Sequence, residues 1–488
     1  MRFLINDNEA PDIPERLLQN HEDGNVVFFC GAGISDSAGL PGFKKLVDQI
    51  YEKLGCEKDS LQEEAYESKQ YDLAISLLES STSGGRDKVR SKISELLRNP
   101  NISKTSTQIH KALLTLSKTN NGNIRLITTN FDQIFEHIIK ENNSKINTYI
   151  APALPIVNED WDGLVYLHGL LNENPKLNNK NQLIISSGDF GQAYLIDRWA
   201  ARFLGQLFKK YSVCFIGYSL EDPIVRYMTD AITGTRNNGE NPPEMFSFCS
   251  YNKKEELQEK EYIINKWKSK GITPIPYYEE NDHHLLNETI FSWATSYKQE
   301  LQGKVYAINE LIDRKPSIST VEDDIVKKMI WAISDASGKP AETFAKTTPV
   351  FDLEWLKSFY SKKYSSNDLV LFGINNTNKR KFEDNYTLLN RPYPDNSYPP
   401  KMSIVNSELV SNKCDKIMNW IFQWLLRHLN NPNLIIWVNQ NGGNINYNFK
   451  EMIIRRLNEI SKLEKENCKT ELQKIKDNSP DGIPDEAM

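Results

Sequence analysis

The chain has 488 residues, of which 39% are hydrophobic and 25% are charged, and its formal net charge is −6. This is the composition of a globular protein and excludes collagen-like, low-complexity and disordered chains. The acidic balance argues against a nucleic-acid-binding protein, and the longest apolar runs are too short to span a bilayer. We therefore expect neither nucleic acid nor a membrane as a partner.

Cysteine usage argues against a structural metal site. The chain has only six cysteines, and no two of them stand at CxxC spacing, which a zinc ribbon or finger would require. Cys30, Cys214 and Cys249 lie inside apolar runs, so we expect buried, reduced thiols. The N-terminus lacks the basic and apolar regions of a signal peptide. We predict a soluble protein of the reducing cytoplasm that needs no metal.

The first 300 residues alternate short apolar runs with helical stretches. Val26–Cys30 is apolar throughout, as in a strand buried on both faces, and a helical stripe follows over Phe43–Leu54. Residues 60 to 118 are rich in helical patterns. Further strand candidates are Arg125–Thr128, Leu164–Leu167, Val213–Ile216 and Met245–Cys249, with Leu183–Ile185 as an additional one. Strands separated by helices predict a doubly wound parallel sheet with helices on both faces.

After residue 303 the sequence predicts a second, mainly helical region, and we divide the chain there into 1–303 and 304–488. Lys304–Ser319 is predicted to be a connector interrupted by Pro316. Helices are predicted over Val321–Ile333, Leu353–Tyr360, Cys414–Leu429 and Phe449–Lys476. Asn478–Pro484 is typical of a linker, so we expect the chain to be part of a longer protein.

Small and polar residues follow four of the predicted strands. The four motifs are Gly31-Ala32-Gly33-Ile34-Ser35, Thr129-Asn130-Phe131-Asp132, His168-Gly169 and Gly217-Tyr218-Ser219. In an open parallel sheet, ligands bind outside the carboxyl ends of the strands. If these four strands are parallel neighbours, the glycines and Asn130, Asp132, His168 and Ser219 converge on one crevice.

Each motif by itself also has a structural explanation. Gly31 and Gly33 allow backbone amides to approach a phosphate, but they also suit a tight turn without a ligand. Asp36 stands where a dinucleotide fingerprint has its third glycine, which disfavours a standard NAD dehydrogenase. Asn130 and Asp132 could cap the next helix. A lone histidine such as His168 is usually structural, yet an imidazole exposed to a ligand can exchange protons near neutral pH.

Taken together, the four motifs resemble, in order and spacing, the motif series of the sirtuin (SIR2) family over residues 20 to 300. Within that family the chain is most similar to the bacterial SIR2-like domains of antiphage defence proteins, through Asp189–Trp199 and Phe215–Pro223. Pro243–Phe246 and Trp293-Ala294 resemble the larger defence-associated sirtuins. The resemblance implies an α/β fold: a sirtuin-like, Rossmann-type doubly wound parallel sheet with a helical insertion, followed by a mainly helical C-terminal region.

The chain departs from the deacetylating sirtuins, which have a CxxC…CxxC zinc module after the motif histidine. Between His168 and Gly217 the sequence has a single cysteine, Cys214. The acidic residue and the arginine of the usual cofactor-binding loop are also altered, since this loop reads Gly39–Lys44. Loss of the module argues against a peptide substrate but leaves the NAD+ pocket intact. The resemblance therefore implies an NAD+ glycohydrolase that uses water as acceptor and no metal.

The resemblance also implies roles for the motif residues. His168 is the expected general base, Asn130 is expected to orient the ribose or the water, and Asp132 the nicotinamide amide or the local charge. Gly217 and Ser219 are expected on the adenosine side, and the turn from Gly31 to Ser35 at the pyrophosphate. The residues expected to bind NAD+ are Gly31, Ala32, Gly33, Ser35, Phe43, Thr129, Gly217 and Ser219.

In the defence proteins that the chain resembles, a C-terminal helical region recognises a phage component. We therefore expect residues 304–488 to be regulatory, a phage protein to act as trigger, and the chain to form a homo-oligomer, with a tetramer favoured by the resemblance. The expected outcome is depletion of cellular NAD+, as in abortive infection. Two alternatives stay open: a protein deacylase or ADP-ribosyltransferase, which the missing zinc cysteines disfavour, and a non-catalytic sensor of NAD+ or ADP-ribose, which would not need a base.

Overall fold

The computed structural model of the chain describes residues 1–4, 7–98, 100–158, 161–172, 180–219, 243–252, 256–279, 283–298, 301–316, 320–360, 369–372, 412–440 and 447–484. The chain forms two compact units. One unit is Glu9–Thr295, and the other combines Met1–Asn8 with Ser296–Met488. The predicted boundary at 303/304 falls slightly later than this division.

The first unit is built on a parallel sheet, which has seven strands among the described residues. The strands are β1 (Val26–Cys30), β2 (Arg125–Thr128), β3 (Thr148–Ile150), β4 (Gly163–Tyr166), β5 (Ser212–Ile216), β6 (Met245–Tyr251) and β7 (Thr273–Tyr278). Their order in the sheet is β3-β4-β2-β1-β5-β6-β7. This order confirms the predicted doubly wound parallel sheet.

Helices flank the sheet, as the sequence predicts. Those of the first unit are α1 (Glu15–Glu22), α2 (Phe43–Leu54), α3 (Ser60–Glu67), α4 (Tyr71–Ser81), α5 (Gly85–Leu97), α6 (Gln108–Leu116), α7 (Ile134–Glu141), α8 (Ser187–Phe190), α9 (Trp199–Lys210), α10 (Glu256–Ser269) and α11 (His284–Lys298), which ends beyond the division. A 3-10 helix covers Ala32–Ala38, and a π-helix covers Gly191–Ile196. Helices α3 to α6 form the predicted insertion between β1 and β2.

One predicted strand is wrong, and two strands of the sheet were not predicted. Leu183–Ile185 is not a strand: the Ile184 amide donates to the His168 carbonyl and the Leu183 carbonyl accepts from Arg90, so this backbone is satisfied outside the sheet. The edge strands β3 and β7 were not predicted. β3 is largely exposed, and β7 contains Pro274 and Pro276, which are tolerated at a sheet edge but weaken the sequence signal.

The strands that precede the four motifs end in register. Cys30 at the end of β1 pairs with Thr128 of β2 and with Ile216 of β5, and Thr128 pairs in turn with Tyr166 of β4. The four motifs therefore start at the same level of the carboxyl edge. Strand order reverses between β1 and β5, and such a switch point is where an open α/β sheet forms a ligand crevice.

A buried arginine ties the helical insertion to the segment beyond β4. Arg90 on α5 is fully buried. Its guanidinium donates to the Glu79 carboxylate at 2.7 Å, to the Leu183 carbonyl at 2.6 Å and to the Asp189 carboxylate. Burial by itself would raise the pKa of Asp189, but the Arg90 charge and the amides of Ser186 and Ile185 outweigh it, so that pKa lies below its ordinary value. The ion pairs hold residues 183–190 against α5.

The second unit is mostly helical, as predicted. Its helices are α12 (Leu301–Glu310), α13 (Thr320–Ile333), α14 (Lys339–Lys346), α15 (Trp355–Tyr360), α16 (Asn412–Leu425), α17 (Pro432–Gln440), α18 (Tyr447–Lys465) and α19 (Lys469–Asp477). Its core includes Phe344, Phe351 and Trp424, whose indole donates to the Phe351 carbonyl at 2.9 Å. Within the described ranges, no helix is both long and apolar enough to cross a membrane.

Two predictions in this unit are wrong. Lys304–Ser319 is not a connector throughout, because burial of Ala307 and Ile308 stabilises α12; residues 317–319 lie outside the described residues. The single helix predicted over Phe449–Lys476 is two helices, α18 and α19. The helix is interrupted at Asn467, whose φ of 53° is left-handed and does not continue an α-helix.

The Arg90 ion pairs give a test of the fold. Arg90→Met leaves the Glu79 and Asp189 carboxylates without their buried cation, with only the half-exposed Arg86 beside them, and we expect it to lower the free energy of unfolding by about 3–5 kcal/mol. Arg86→Met is the matched control, because Arg86 contacts the same Asp189 at 2.6 Å but its side chain is 41% exposed, so its removal should cost less than about 1 kcal/mol. Urea denaturation followed by circular dichroism measures both. Equal losses in the two variants would contradict the role of Arg90.

Candidate functional site

Two adjoining cavities open at the carboxyl edge of the sheet. The outer cavity is the larger of the two. Ala32 and Phe43 line both, so the two form one cleft. Of the predicted site residues, Ser35, Thr129, Asn130, Asp132 and His168 line the inner cavity, and Gly33, Gly217 and Ser219 line the outer one. Residues 220–223 of the predicted motif lie outside the described residues.

At the switch point, glycines allow the turns that follow β1 and β5 to contact each other through backbone hydrogen bonds. The Gly31 amide donates to the Ile216 carbonyl at 2.9 Å, and the Gly33 amide donates to the Gly217 carbonyl at 3.0 Å. A Cβ on Gly31 would lie 2.6 Å from the Gly217 oxygen. Both amides are thus engaged within the protein. Gly31 lines neither cavity, whereas Ala32 lines both.

Ser35 is the centre of a buried polar network behind the inner cavity. Its hydroxyl donates to Asp132 Oδ2 at 2.9 Å and accepts from Asn130 Nδ2 at 3.0 Å. Asp132 Oδ1 accepts the Ile134 amide at 3.0 Å, so the carboxylate also caps α7. Burial raises the pKa of Asp132, against the opposing effect of these donors. The sequence left two roles open for Asp132, a cap of the next helix and a residue of the site. The Asp132 side chain both caps α7 and lines the inner cavity.

The network decides which end of the Asn130 amide faces the cavity. Asn130 Nδ2 is used by Ser35, while the Asn130 backbone amide donates to Thr128 Oγ1 at 3.1 Å. The side chain is buried and lines the inner cavity. The Asn130 side chain also donates to the Asp132 carboxylate, so both N–H bonds of its amino group are used within the network. The group left for a ligand is the carbonyl oxygen Oδ1, which only accepts hydrogen bonds.

His168 lines the same cavity and is held in an aromatic environment. Its Nε2 lies 3.1 Å from the Tyr194 hydroxyl, and its ring packs edge-on against Phe190 at 5.1 Å between centroids. Burial lowers the pKa of His168 to about 3, although the charge of Asp189 acts in the other direction. No described residue contacts Nδ1 by a hydrogen bond. His168 is therefore a neutral imidazole with one nitrogen engaged by the protein.

The outer edge of the inner cavity is fixed by a chain of hydroxyls. The Thr129 hydroxyl donates to the Tyr218 hydroxyl at 2.6 Å, and Tyr218 donates to the Cys30 carbonyl at 3.2 Å. The Thr129 amide also donates to Cys30, at 3.0 Å. These bonds connect the ends of β1, β2 and β5 across the switch point.

The Ser, His and Asp side chains here do not form a hydrolytic triad. In such a triad the histidine lies between the serine and the carboxylate. Ser35 instead lies between Asp132 and the histidine on α6, His110, whose Nε2 is 3.3 Å away. The serine proton goes directly to the carboxylate. Acyl transfer through a serine nucleophile is therefore not what this geometry supports.

Metal-binding groups are scarce in this part of the chain. Among the described residues, no three His, Cys, Asp or Glu side chains lie close enough together to hold a metal ion. Cys30, Cys214 and Cys249 are buried free thiols, as predicted, and burial raises the pKa of each. That the protein needs no metal stays a prediction.

Part of this cleft lies in a region of the chain that matches a known family. Residues 124–275 match the sequence profile of the SIR2-like domain. This chain contains a SIR2-like domain. The matched part of the SIR2-like domain includes Asn130, His168 and Gly217, whereas Gly31 to Ser35 precede it. The predicted resemblance to SIR2-like proteins is confirmed.

The chain is also similar to a protein of Sinorhizobium fredii, the uncharacterized protein y4cA. The two are 30% identical over 248 residues, which is 50% of this chain and 20% of that protein. The chain thus spans about a fifth of the length of this relative.

Two contacts of the SIR2-like site were not predicted from the sequence. His110 and Tyr194 lie behind Ser35 and His168, respectively. Neither follows a strand, so the search at strand ends could not identify them. His110 has one weak signal: it is a histidine on the apolar face of α6, between Ile109 and Leu113.

Close packing at the switch point gives a second test. Gly217 has a φ of +74°, and a Cβ there would lie 2.7 Å from the Ile34 amide nitrogen. We expect Gly217→Ala to lower the free energy of unfolding by about 2 kcal/mol or more, from the left-handed conformation and the clash together. Gly205→Ala is the control, because Gly205 is exposed on α9 with open space at its Cβ and should gain up to about 1 kcal/mol. Thermal denaturation measures both; a neutral Gly217→Ala would refute the close contact.

Proposed function

We propose that this chain cleaves NAD+ between nicotinamide and ribose, with water as acceptor. The observation that supports it best is the inner cavity, where a buried neutral imidazole and an amide oxygen face one space. The inner cavity, with the apolar walls Ile184, Ile185 and Phe190, suits nicotinamide and its ribose. The outer cavity beyond Ala32 has room for the rest of the dinucleotide.

The chemistry requires little acid assistance. When the glycosidic C–N bond breaks, its electron pair stays on the nicotinamide nitrogen, and neutral nicotinamide leaves a cationic, oxocarbenium-like ribose. Water then bonds to C1′ and releases a proton, so the products are ADP-ribose, nicotinamide and H⁺. A neutral base is sufficient for this step. We assign this base to His168, which is neutral in its buried setting. The same burial weakens it as a base, so its role is to accept the proton from water or from a ribose hydroxyl once the cationic ribose has made that proton more acidic.

Asn130 and Asp132 supply position and charge. Asn130 Oδ1 can accept a hydrogen bond from the attacking water or a ribose hydroxyl, which orients the reacting group at low entropic cost. The Asp132 carboxylate, bonded to Ser35 and capping α7, places negative charge beside a cationic transition state. Gly33, Gly217 and Ser219 in the outer cavity are assigned to the remainder of NAD+, with the Ala32 amide towards the pyrophosphate.

The proposal is tested by incubating the purified chain with NAD+ and measuring nicotinamide and ADP-ribose. We expect Asn130→Ala and His168→Ala each to lower turnover by at least about a hundredfold while circular dichroism stays parental. His137→Ala is the matched control, since His137 is exposed on α7 away from the cavity. Either site variant retaining parental turnover would reject its role. Tight NAD+ binding without product would favour the sensor, and acyl removal from a lysine peptide would favour the deacylase.

We further propose that cleavage serves antiphage defence, by emptying the NAD+ pool once a phage protein engages the C-terminal region of a homo-oligomer. A lethal activity must be silent until needed, and the described residues that line the cleft all belong to the first unit, which leaves the second unit free for control. In bacteria expressing the chain, infection should lower cellular NAD+ with the parent and not with Asn130→Ala. Equal NAD+ levels in both cultures, from a chain active in vitro, would refute the defence role alone.

A further inference from the structure

His110 is a buried histidine that contacts the polar network without lining the cleft. It lies on α6 and is fully buried. Its Nε2 is 3.3 Å from Ser35 Oγ, and its ring packs edge-on against Phe135 at 4.9 Å. Nδ1 is buried and has no hydrogen-bond partner among the described residues. An unpaired buried polar atom is costly, so a leucine or phenylalanine here would pack with less penalty.

The hydrogen-bond inventory of Ser35 fixes the direction of this contact. The only hydroxyl hydrogen of Ser35 is donated to Asp132 at 2.9 Å, and the oxygen accepts from Asn130 at 3.0 Å. Ser35 therefore has only its second lone pair left for His110. Nε2 must be the donor, and since burial lowers the pKa of His110 to about 3, the neutral ring has its lone pair on Nδ1.

We propose that His110 is a positioning residue, whose Nε2–H holds the Ser35 hydroxyl in the orientation that turns Asn130 Oδ1 towards the cavity and the serine proton towards Asp132. Without this donor, the Ser35 oxygen has a free lone pair and its hydroxyl can rotate away from Asp132. The Asn130 amide then loses its fixed acceptor and can turn over. His110 thus acts on the reaction through Ser35, a residue it contacts, rather than on NAD+.

Two substitutions separate donation from packing. His110→Gln retains an N–H donor but loses the ring, and His110→Phe retains a ring against Phe135 but loses the donor. We expect His110→Phe to lower kcat for NAD+ cleavage about tenfold, the worth of one hydrogen bond, with KM within about threefold of the parent. His110→Gln should recover most of kcat. A phenylalanine variant as active as the glutamine variant would overturn the proposal in favour of packing.

A double-mutant cycle tests whether His110 acts through Ser35. Ser35→Ala alone should lower kcat, and adding His110→Phe to it should lower kcat no further, because the group that His110 holds is already absent. Losses that multiply would overturn the proposal. His137→Gln, an exposed histidine on α7, should leave kcat parental and controls for loss of a histidine as such.

The tautomer gives a readout that does not depend on activity. The kcat measurements above rest on the proposed NAD+ cleavage. Long-range ¹H–¹⁵N spectra of the full chain with ¹⁵N-labelled histidine do not, because they report directly which ring nitrogen carries the proton. The chain has seven histidines, and the signal lost in His110→Gln identifies the ring. We expect Nε2 protonated and Nδ1 bare; a proton on Nδ1 would overturn the inference even if NAD+ is cleaved. A parent that cleaves no NAD+ but shows the Nε2–H tautomer would refute the function and support the hydrogen-bond arrangement.

Discussion

The site depends on the contact between the turns that follow β1 and β5. Gly33 donates to the Gly217 carbonyl, and no side chain fits between the two backbones. This contact lies where strand order reverses, so it sets the width of the crevice there. It also brings Ser35, one turn further along the 3-10 helix, to the level of the residues that follow β2.

The polar groups that line the cleft, and His110 behind them, are kept in defined states by burial. Desolvation lowers the pKa of both His168 and His110 to about 3, so each ring is neutral and presents one donor and one acceptor. In the same cleft, donors to Asp132 oppose the desolvation that raises its pKa. Neutral rings beside a carboxylate suit a reaction in which positive charge develops on the substrate rather than on the protein. This electrostatic arrangement is the physical reason for preferring NAD+ cleavage to a serine-based hydrolysis.

The wall opposite the network owes its position to the helical insertion. Arg90 binds Asp189 and the Leu183 carbonyl, and the segment between them contributes Ile184, Ile185 and Phe190 to the inner cavity. Tyr194, a short distance further on, contacts His168. A group in the insertion thus holds the segment that contacts His168, although the insertion and His168 are far apart in sequence.

The sequence by itself determined the strands β1, β2, β4, β5 and β6, because continuous apolar runs of this length fit a sheet that is covered on both faces. It also located Asn130, Asp132 and His168, since residues that follow parallel strands share one edge of the sheet. The edge strands β3 and β7 escaped prediction because exposure and proline remove the apolar signal. Only the tertiary structure decided that the amides of Gly31 and Gly33 serve the protein itself, which end of Asn130 faces the cavity, and that His110 and Tyr194 stand behind the site. Those features depend on hydrogen bonds between residues distant in sequence, whose distances and directions no local pattern contains.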